Sequence, residues 1–272
     1  MFAYIPRIAA LATVVALATL LLTSCSGPVA ATAGSPEFYW AAAKQAYGTG
    51  DYLKTLEQLD RLVDNRNDYT ARAIPWSLVL TTGLASGYIE VADAYARGAR
   101  GNPANTAAFR RKATEYRNLA SPMALQAARA AENLEQLPPG SITLTFGRPR
   151  GNLAASPALY KIAAGIAVTD TEAEAAAAYT LERNVLLSAC LAVGAANDSA
   201  KASEILSHAS TITPRPAFAR AMAEMLEKTL PLYARNGLDL PQKKAMLEAR
   251  AKTLRIAAEQ VGPAMVVKVN AQ

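Results

Sequence analysis

The chain has 272 residues, of which 51% are hydrophobic and 18% are charged, so it is long enough for one large domain or two small ones with substantial cores. Its 28 lysines and arginines exceed its 22 aspartates and glutamates by a margin that is spread thinly along the sequence, which argues against a nucleic-acid-binding protein. The single histidine excludes a metal site built from several histidines.

The N-terminal segment has the organisation of an export signal. Arg7 supplies a positive charge, residues 8–22 are apolar or threonine, and two small residues, Thr23 and Ser24, follow. This is the order of charged, hydrophobic and cleavage regions in a signal peptide. The apolar run is also shorter than the roughly 20 residues that a permanent membrane-spanning helix requires. We therefore expect residues 1–24 to be removed.

The four residues Leu22, Thr23, Ser24 and Cys25 resemble the lipobox of bacterial lipoproteins, in which a branched aliphatic residue and two small residues precede an invariant cysteine. The resemblance implies diacylation of the Cys25 thiol, cleavage before this residue and acylation of the new amino terminus. Acyl chains, at about 0.8 kcal/mol per buried methylene, would attach the protein to a membrane without crossing it. A conventional cleaved signal or an uncleaved anchor is the alternative.

Residues 25–36 are predicted to be a flexible tether, because they are mostly small and are interrupted by glycine and proline. Ser26 stands where lipoproteins retained in the inner membrane usually carry aspartate, so the resemblance implies an outer-membrane protein that faces the periplasm. With Cys25 committed to lipid, Cys190 is the only other cysteine, and no internal disulfide can form. Cys190 is interpreted as a small buried helix residue.

Nearly everything after the tether is predicted to be helical, because alanine-rich amphipathic stretches recur with glycine and proline between them. A short strand is expected in residues 141–146. The fold is therefore expected to be all-α, in a single domain over residues 37–272, with successive helices as antiparallel neighbours. The predicted helices cover residues 37–47, 51–63, 75–97, 106–119, 122–137, 157–168, 172–193, 199–209, 216–234 and 241–261.

Two segments resemble tetratricopeptide repeats, in which small residues at the crossing of two helices let the backbones approach and larger residues fill the gaps. Both depart from the family pattern, because its paired leucine and glycine are missing and the segments are out of register with a period of about 34 residues. The domain is expected to be either a TPR-like α-solenoid of stacked helical hairpins or an irregular helical domain. The matching positions are Tyr39, Ala43, Gly50, Asp51, Tyr52, Thr55 and Leu59 in the first segment, and Leu186, Cys190, Ala202, Leu206, Ala209 and Pro214 in the second.

Residues 78–96, 109–134 and 240–260 together resemble the lipoproteins associated with certain TRAP transporters, the T-components. The similarity lies in an aliphatic, glycine-containing helix with acidic residues and a basic helix after it, and it covers about half of the chain. The resemblance implies a lipid anchor joined to tetratricopeptide-like helices. It also implies a homo-oligomer that encloses a ligand-binding cavity and works with transporter subunits.

The helix predicted over residues 75–97 carries the first candidate ligand contact. Gly83, Gly87 and Glu90 lie on one face at helical spacing, so either another helix packs very closely there or the face lines a cavity into which Glu90 projects. A carboxylate on an apolar face requires a partner or water. Structural pairing of Glu90 with an arginine is the alternative to ligand contact, and Glu182 presents the same choice. Tyr88 is interpreted as a core residue, with a ligand contact as the alternative.

The loop FGRPRGN provides a second candidate site. Arg148 and Arg150 flank a proline between two glycines, and two guanidinium groups beside exposed backbone amides could bind a carboxylate, a phosphate or a lipid headgroup. A solvated turn is the alternative reading of the same residues. Neither reading requires a cofactor.

Catalytic chemistry has little support in the sequence. Glu204 and His208 stand four residues apart on a predicted helix, where a surface ion pair is a simpler interpretation than a metal site. The sequence contains no paired CxxC motifs, phosphate-binding loop or GxSxG motif. We therefore expect a non-enzymatic envelope protein that acts as a scaffold for a protein partner. The alternative is a small-molecule-binding component associated with a transporter.

Overall fold

A computed structural model describes residues 32–137, 139–150, 156–195, 198–207 and 210–259. The leader, Cys25, most of the tether, His208 and Ala209 lie outside these residues. The described chain is all-α, as predicted, with nine α-helices and one small sheet. The helices are α1 (Pro36–Thr49), α2 (Tyr52–Asp64), α3 (Thr70–Gly101), α4 (Thr106–Glu135), α5 (Ala158–Ala163), α6 (Asp170–Ala192), α7 (Ser199–Ile205), α8 (Arg215–Glu227) and α9 (Pro241–Glu259).

The helix starts follow from local capping chemistry. The Ser35 hydroxyl accepts a hydrogen bond from the Phe38 amide at the start of α1, and the Asp51 carboxylate accepts one from the Lys54 amide at the start of α2. Gly50, with φ of 81°, ends α1 in the left-handed conformation that glycine adopts without steric cost. These residues produce the tight α1–α2 hairpin that the sequence predicts.

Several predicted helix boundaries are wrong. The helix predicted over 75–97 is longer at both ends (Thr70–Gly101), and the one predicted over 199–209 already ends at Ile205. Residues 106–119 and 122–137 form one helix, α4, with Pro122 inside it, because a continuous row of alanines including Ala120 and Ala124 is buried along the helix. Packing of this row offsets the loss of one backbone hydrogen bond at the proline. The helix predicted over 157–168 stops at Ala163, and the one predicted over 216–234 divides into α8 and a 3-10 turn, Leu230–Tyr233.

The strand expected in residues 141–146 is present as β1 (Ser141–Leu144), and its partner is β2 (Thr211–Pro214). The two strands pair antiparallel, with Ile142 opposite Thr213. Sequence reasoning did not identify β2, because TITP follows a predicted helix directly and is too short to show alternation. The sheet joins two parts of the chain that are about 70 residues apart.

Helix α3 is the central element of the fold. It packs against α2, α4, α5, α6, α8 and β1. Its residues are buried on all sides along most of its length, including Trp76, Leu78 and Leu80, as expected for a helix surrounded by other helices. The helices are thus arranged around one axis, whereas hairpins in a solenoid contact mainly their neighbours in sequence. None of the described helices is both long and apolar enough to span a bilayer.

Glycines allow α3 and α6 to approach closely. A Cβ atom added at Gly83 would lie 2.7 Å from the Val185 Cα, and one added at Gly87 would lie 3.0 Å from the Leu181 Cα. The Thr82 and Ser188 hydroxyls form a buried hydrogen bond of 2.9 Å beside this contact. Of the two alternatives predicted for this face, the structure therefore has close helix packing.

Candidate ligand-binding pocket

Glu90 has partners from the chain itself. Its carboxylate forms an ion pair with Arg183 and accepts a hydrogen bond of 3.0 Å from the Asn184 amide. The side chain is 32% exposed, so this pair lies at the edge of the α3–α6 contact. Pairing with an arginine, one of the two predicted alternatives, accounts for Glu90 without a ligand.

Glu182 and Tyr88 lie together, on a small cleft of about 210 Å³ beside the α1–α2 turn. Tyr52 forms another part of this cleft. Burial, together with the negative charge of Glu182, raises the pKa of the Tyr52 hydroxyl well above its usual range. Tyr88 is only 7% exposed, and Tyr95, one heptad later, stacks on Tyr116. Both tyrosines of α3 therefore contribute to the core, as predicted.

The basic loop is packed against the helical domain through an aromatic cluster. Phe146 stacks on Trp76 with ring centroids 5.4 Å apart. The Tyr47 hydroxyl donates to the Gly147 carbonyl at 2.9 Å, and the Arg150 guanidinium donates to the Thr49 carbonyl at 2.7 Å, at the C-terminus of α1. A cation at this helix end is favourable.

Arg148 is exposed and makes no hydrogen bond or ion pair within the described chain. The Tyr52 hydroxyl donates to the Arg150 carbonyl at 3.2 Å, so Arg150 is tied to the hairpin through both its backbone and its side chain. Residues 146–150 of the loop therefore form a packed element rather than a solvated turn, and residues 151 and 152 lie outside the described residues. The two guanidinium groups have different roles. Only Arg148 is left to contact an external group.

A pocket larger than the cleft beside Glu182 lies where α2, α3 and α4 meet. It has a volume of about 400 Å³, within the range of roughly 300–1,000 Å³ that is typical of ligand sites. Its apolar part comes from Val63, Ile74, Pro122, Leu125 and Ala130, and its polar part from Asp60, Asp64, Ser77, Gln126, Arg129 and Asn133. We call it the Asp60 pocket.

Asp60 is the most perturbed ionisable group in this pocket. Burial raises the pKa of its carboxyl, the charge of Asp64 raises it further, and a hydrogen bond from Gln126 and the charge of Arg129 lower it. The Gln126 amide donates to the Asp60 carboxylate at 2.6 Å. The carboxylate is therefore held in position but lacks full charge compensation from the protein.

Ser77 provides an unsatisfied polar group in the same pocket. The side chain is 3% exposed, and its hydroxyl oxygen has no hydrogen-bond partner within the described chain. A buried hydroxyl without a partner costs about 1–3 kcal/mol, so such groups call for an explanation. The oxygen itself is shielded from solvent, so a ligand in the pocket would recover this energy only after a rotation of the Ser77 side chain.

The lining can recognise a molecule that carries both charges. Two carboxylates one helical turn apart on α2 can receive an ammonium group, while the guanidinium of Arg129 can receive a carboxylate. The amides of Gln126 and Asn133 and the hydroxyl of Ser77 add directional hydrogen bonds. Within the described residues, no cluster of three or more His, Cys, Asp or Glu side chains is arranged to hold a metal ion.

Sequence reasoning did not find the Asp60 pocket, because its polar residues come from three helices with no shared motif. Two signals were present: Ser77 interrupts the apolar run IPWSLVL, and Asp60 and Asp64 stand four residues apart on α2. Neither feature shows from sequence alone that Gln126 on α4 faces Asp60. That contact depends on how α4 packs beside α2 and α3.

Comparison with known proteins gives no relative from which a function could be transferred. No protein-family model matches the chain, and no match was found among curated proteins or solved structures. A function for this protein is therefore inferred from its own residues and their geometry.

Proposed function

We propose that this protein is a non-catalytic binding protein of the bacterial cell envelope, anchored through a lipid on Cys25, that holds a small amphipathic solute with an amino group in the Asp60 pocket. The observation that carries the proposal is the combination, in one pocket of about 400 Å³, of a half-buried carboxylate that lacks an ion-pair partner within the described residues and a buried hydroxyl that has no hydrogen-bond partner among them. Of the two functions predicted from the sequence, this observation favours small-molecule binding.

The charge of the pocket selects the ligand class. Its lining has two carboxylates and one guanidinium, so a ligand with an ammonium group next to Asp60 restores neutrality there. A carboxylate on the same ligand would face Arg129, and its apolar part would lie against Ile74 and Leu125. A zwitterionic amino acid or a small amino-containing solute has this pattern.

A binding role suits Ser77 better than a nucleophilic one. A serine nucleophile needs an adjacent general base within about 2.6–3.2 Å, and the Ser77 hydroxyl has no partner of any kind within the described chain. We therefore assign Ser77 to ligand recognition.

The anchor is proposed from the lipobox alone. It would place the helical domain in the periplasm at the outer membrane, joined by the short tether that ends at Ser35, where α1 is capped. In such a location a solute-binding protein could deliver its ligand to transporter subunits in the same envelope, which is the role implied by the resemblance to T-component lipoproteins.

A scaffold for a protein partner is the second candidate, and one observation favours it. Tyr160 on α5 is 80% exposed and Ile166, just after this helix, is 54% exposed. Large apolar side chains exposed close together in sequence are a common feature of protein contact surfaces. Loss of co-purifying envelope proteins in a Tyr160→Ser variant would support this function, and unchanged co-purification would argue against it.

Isothermal titration calorimetry of the full chain in a non-ionic detergent tests ligand binding. A panel of zwitterionic amino acids is compared with the corresponding deaminated acids and decarboxylated amines. We expect at least one zwitterion to bind and its deaminated analogue to bind at least tenfold more weakly. Asp60→Asn should reduce the affinity at least tenfold, because it removes the charge that faces the ammonium group.

The matched control is Glu57→Gln, which removes a charge from an exposed position on the same helix outside the pocket. It should leave the affinity unchanged. Ser77→Ala should weaken binding while leaving the fold intact, since it removes an unpaired hydroxyl. Equal affinity of the Asp60→Asn variant and the parent protein would refute the assignment of the pocket.

A further inference from the structure

A second concave surface, of about 490 Å³, lies between the C-terminal half of α3, the first half of α4 and the loop after the 3-10 turn Leu230–Tyr233. It shares no residue with the Asp60 pocket. Three arginines line it: Arg97 and Arg100 from α3, and Arg117 from α4. We call it the arginine pocket.

Within the part of the chain that the structure describes, no acidic side chain forms an ion pair with these three guanidinium groups. Arg183, Arg250 and Arg255 each form an ion pair with a glutamate elsewhere in the domain. In contrast, Arg97, Arg100 and Arg117 make no ion pair within the described residues. Asp93, one turn before Arg97, is the single acidic residue of the lining, so the lining side chains carry three positive charges against one negative charge. Like charges brought together without counterions repel one another, and a bound anion would relieve this repulsion.

The side of this pocket opposite α3 is formed by the 3-10 turn and the loop that follows it, and backbone hydrogen bonds hold this loop in place. Within this loop the Gly237 amide donates to the Ala234 carbonyl at 2.8 Å, and the Leu238 amide donates to the Leu232 carbonyl at 2.8 Å. A Cβ atom at Gly237 would lie only 2.2 Å from the Leu232 carbonyl oxygen, so the loop is closed tightly on the 3-10 turn.

The same side of the pocket is attached to α4. Tyr233 is 1% exposed, and its hydroxyl donates to the Ser121 carbonyl at 3.0 Å. Since Ser121 lies one turn beyond Arg117 on α4, this hydrogen bond fixes the position of the loop relative to Arg117. Asn236 of this loop also belongs to the lining, and its side-chain amide is a further hydrogen-bond donor.

We infer that the arginine pocket binds a phosphate-bearing anion. Guanidinium groups bind phosphate oxygens bidentately through paired N–H donors, and Arg97 and Arg100 are three residues apart, on one face of α3. The lining also includes apolar residues such as Ile89 and Leu232, against which the non-phosphate part of a ligand would lie. The phosphate can come from an anionic lipid headgroup near the anchor or from a soluble phosphate compound, because the recognised chemistry is the same.

Calorimetry of the full chain in a non-ionic detergent separates the two sources. The probes are inorganic phosphate and glycerophosphoglycerol, the deacylated headgroup of phosphatidylglycerol. Binding of inorganic phosphate that weakens at least tenfold in the Arg97→Gln, Arg100→Gln double variant supports a site for soluble phosphate. Binding of glycerophosphoglycerol with the same loss supports a site for the lipid headgroup.

Two controls keep the test specific. Arg220→Gln removes an exposed arginine of α8 that lies outside the pocket and has no ion pair among the described residues, and it should leave both affinities unchanged. Arg117→Gln should weaken binding as a second, independent variant, since its side chain approaches from α4. Binding of neither probe at millimolar concentration, or equal affinity in the double variant and the parent protein, would overturn the inference. Asp60→Asn should not change the phosphate affinity, so this test is independent of the proposed function.

Discussion

Replacement of Gly83 by alanine tests whether α3 and α6 pack as closely as the structure describes. The added methyl carbon would lie 2.7 Å from the Val185 Cα, 3.0 Å from the Asn184 carbonyl oxygen and 3.1 Å from the Val185 amide nitrogen. Non-bonded carbon atoms normally sit about 3.5–4.0 Å apart. All three neighbours are backbone atoms, so no side-chain rotation can relieve the overlap, and the two helices must move apart by about 1 Å.

The expected magnitude combines two opposing effects. Alanine in place of a helical glycine stabilises a helix by about 0.5–1 kcal/mol. Overpacking of a tight interface destabilises by about 1–3 kcal/mol. Gly48 on α1 isolates the first effect, because an added Cβ atom there has nothing within 4 Å. The free energy of unfolding of Gly83→Ala should therefore fall below that of Gly48→Ala by about 1–3 kcal/mol.

Urea denaturation followed by circular dichroism measures both variants, with the m-value checked for constancy. Gly98→Ala extends the series, because its Cβ atom would lie 2.0 Å from the Ile162 carbonyl oxygen and the expected loss is larger than at Gly83. If Gly83→Ala gained as much stability as Gly48→Ala, the close contact between α3 and α6 would be refuted.

Four further outcomes are expected. Asp60→Asn should gain stability relative to the parent protein as the pH rises from acid towards neutral. Burial holds the pKa of the Asp60 carboxyl above its usual value, so the parent protein loses stability as the pH rises through this folded-state pKa. Urea denaturation at several pH values measures this, and an unchanged difference in stability between variant and parent would contradict it. Glu90→Gln should cost less than about 1 kcal/mol in a denaturation assay, because its ion pair is partly exposed. The free energy of unfolding of Tyr233→Phe should fall by about 1–2 kcal/mol in the same assay, because the buried hydroxyl and carbonyl of Ser121 lose their hydrogen bonds to the Tyr233 hydroxyl. Cys25→Ala should abolish partitioning into the membrane fraction, and continued partitioning would contradict the lipobox assignment.

The helical architecture was predictable because its signals are local. Ser35 and Asp51 cap helices where capping residues are expected, and Thr169 and Glu172 form a capping box at the start of α6. The positions of Gly83 and Gly87 on one face predicted either a close helix contact or a cavity, and the structure has the close contact. Each of these features depends on residues within a few positions of one another.

Features that depend on tertiary packing were not predictable. Pro122 suggested a break between two helices, but burial of the alanine row of α4 keeps the helix continuous. Strand β2 forms only because β1 lies beside it. The same limit applies to the candidate site, since the contact between Asp60 and Gln126 joins helices that no sequence motif connects.

Two of the predicted site residues have partners within the fold. Glu90 and Arg150 are engaged by Arg183 and by the end of α1, respectively, because long charged side chains near helix contacts find partners within the fold. Glu182 and Tyr88 share a cleft of about 210 Å³, smaller than most ligand sites, which exceed about 300 Å³. The Asp60 pocket is larger and has the more complete set of polar groups.

A crystal structure of the protein with the tightest-binding zwitterion from the titration panel is the most direct test of the proposed function. We predict electron density for the ligand in the Asp60 pocket, with its ammonium group within about 3.2 Å of the Asp60 carboxylate and a polar atom at the same distance from the Ser77 hydroxyl. Density in the cleft beside Glu182, or an empty Asp60 pocket at saturating ligand, would contradict the account.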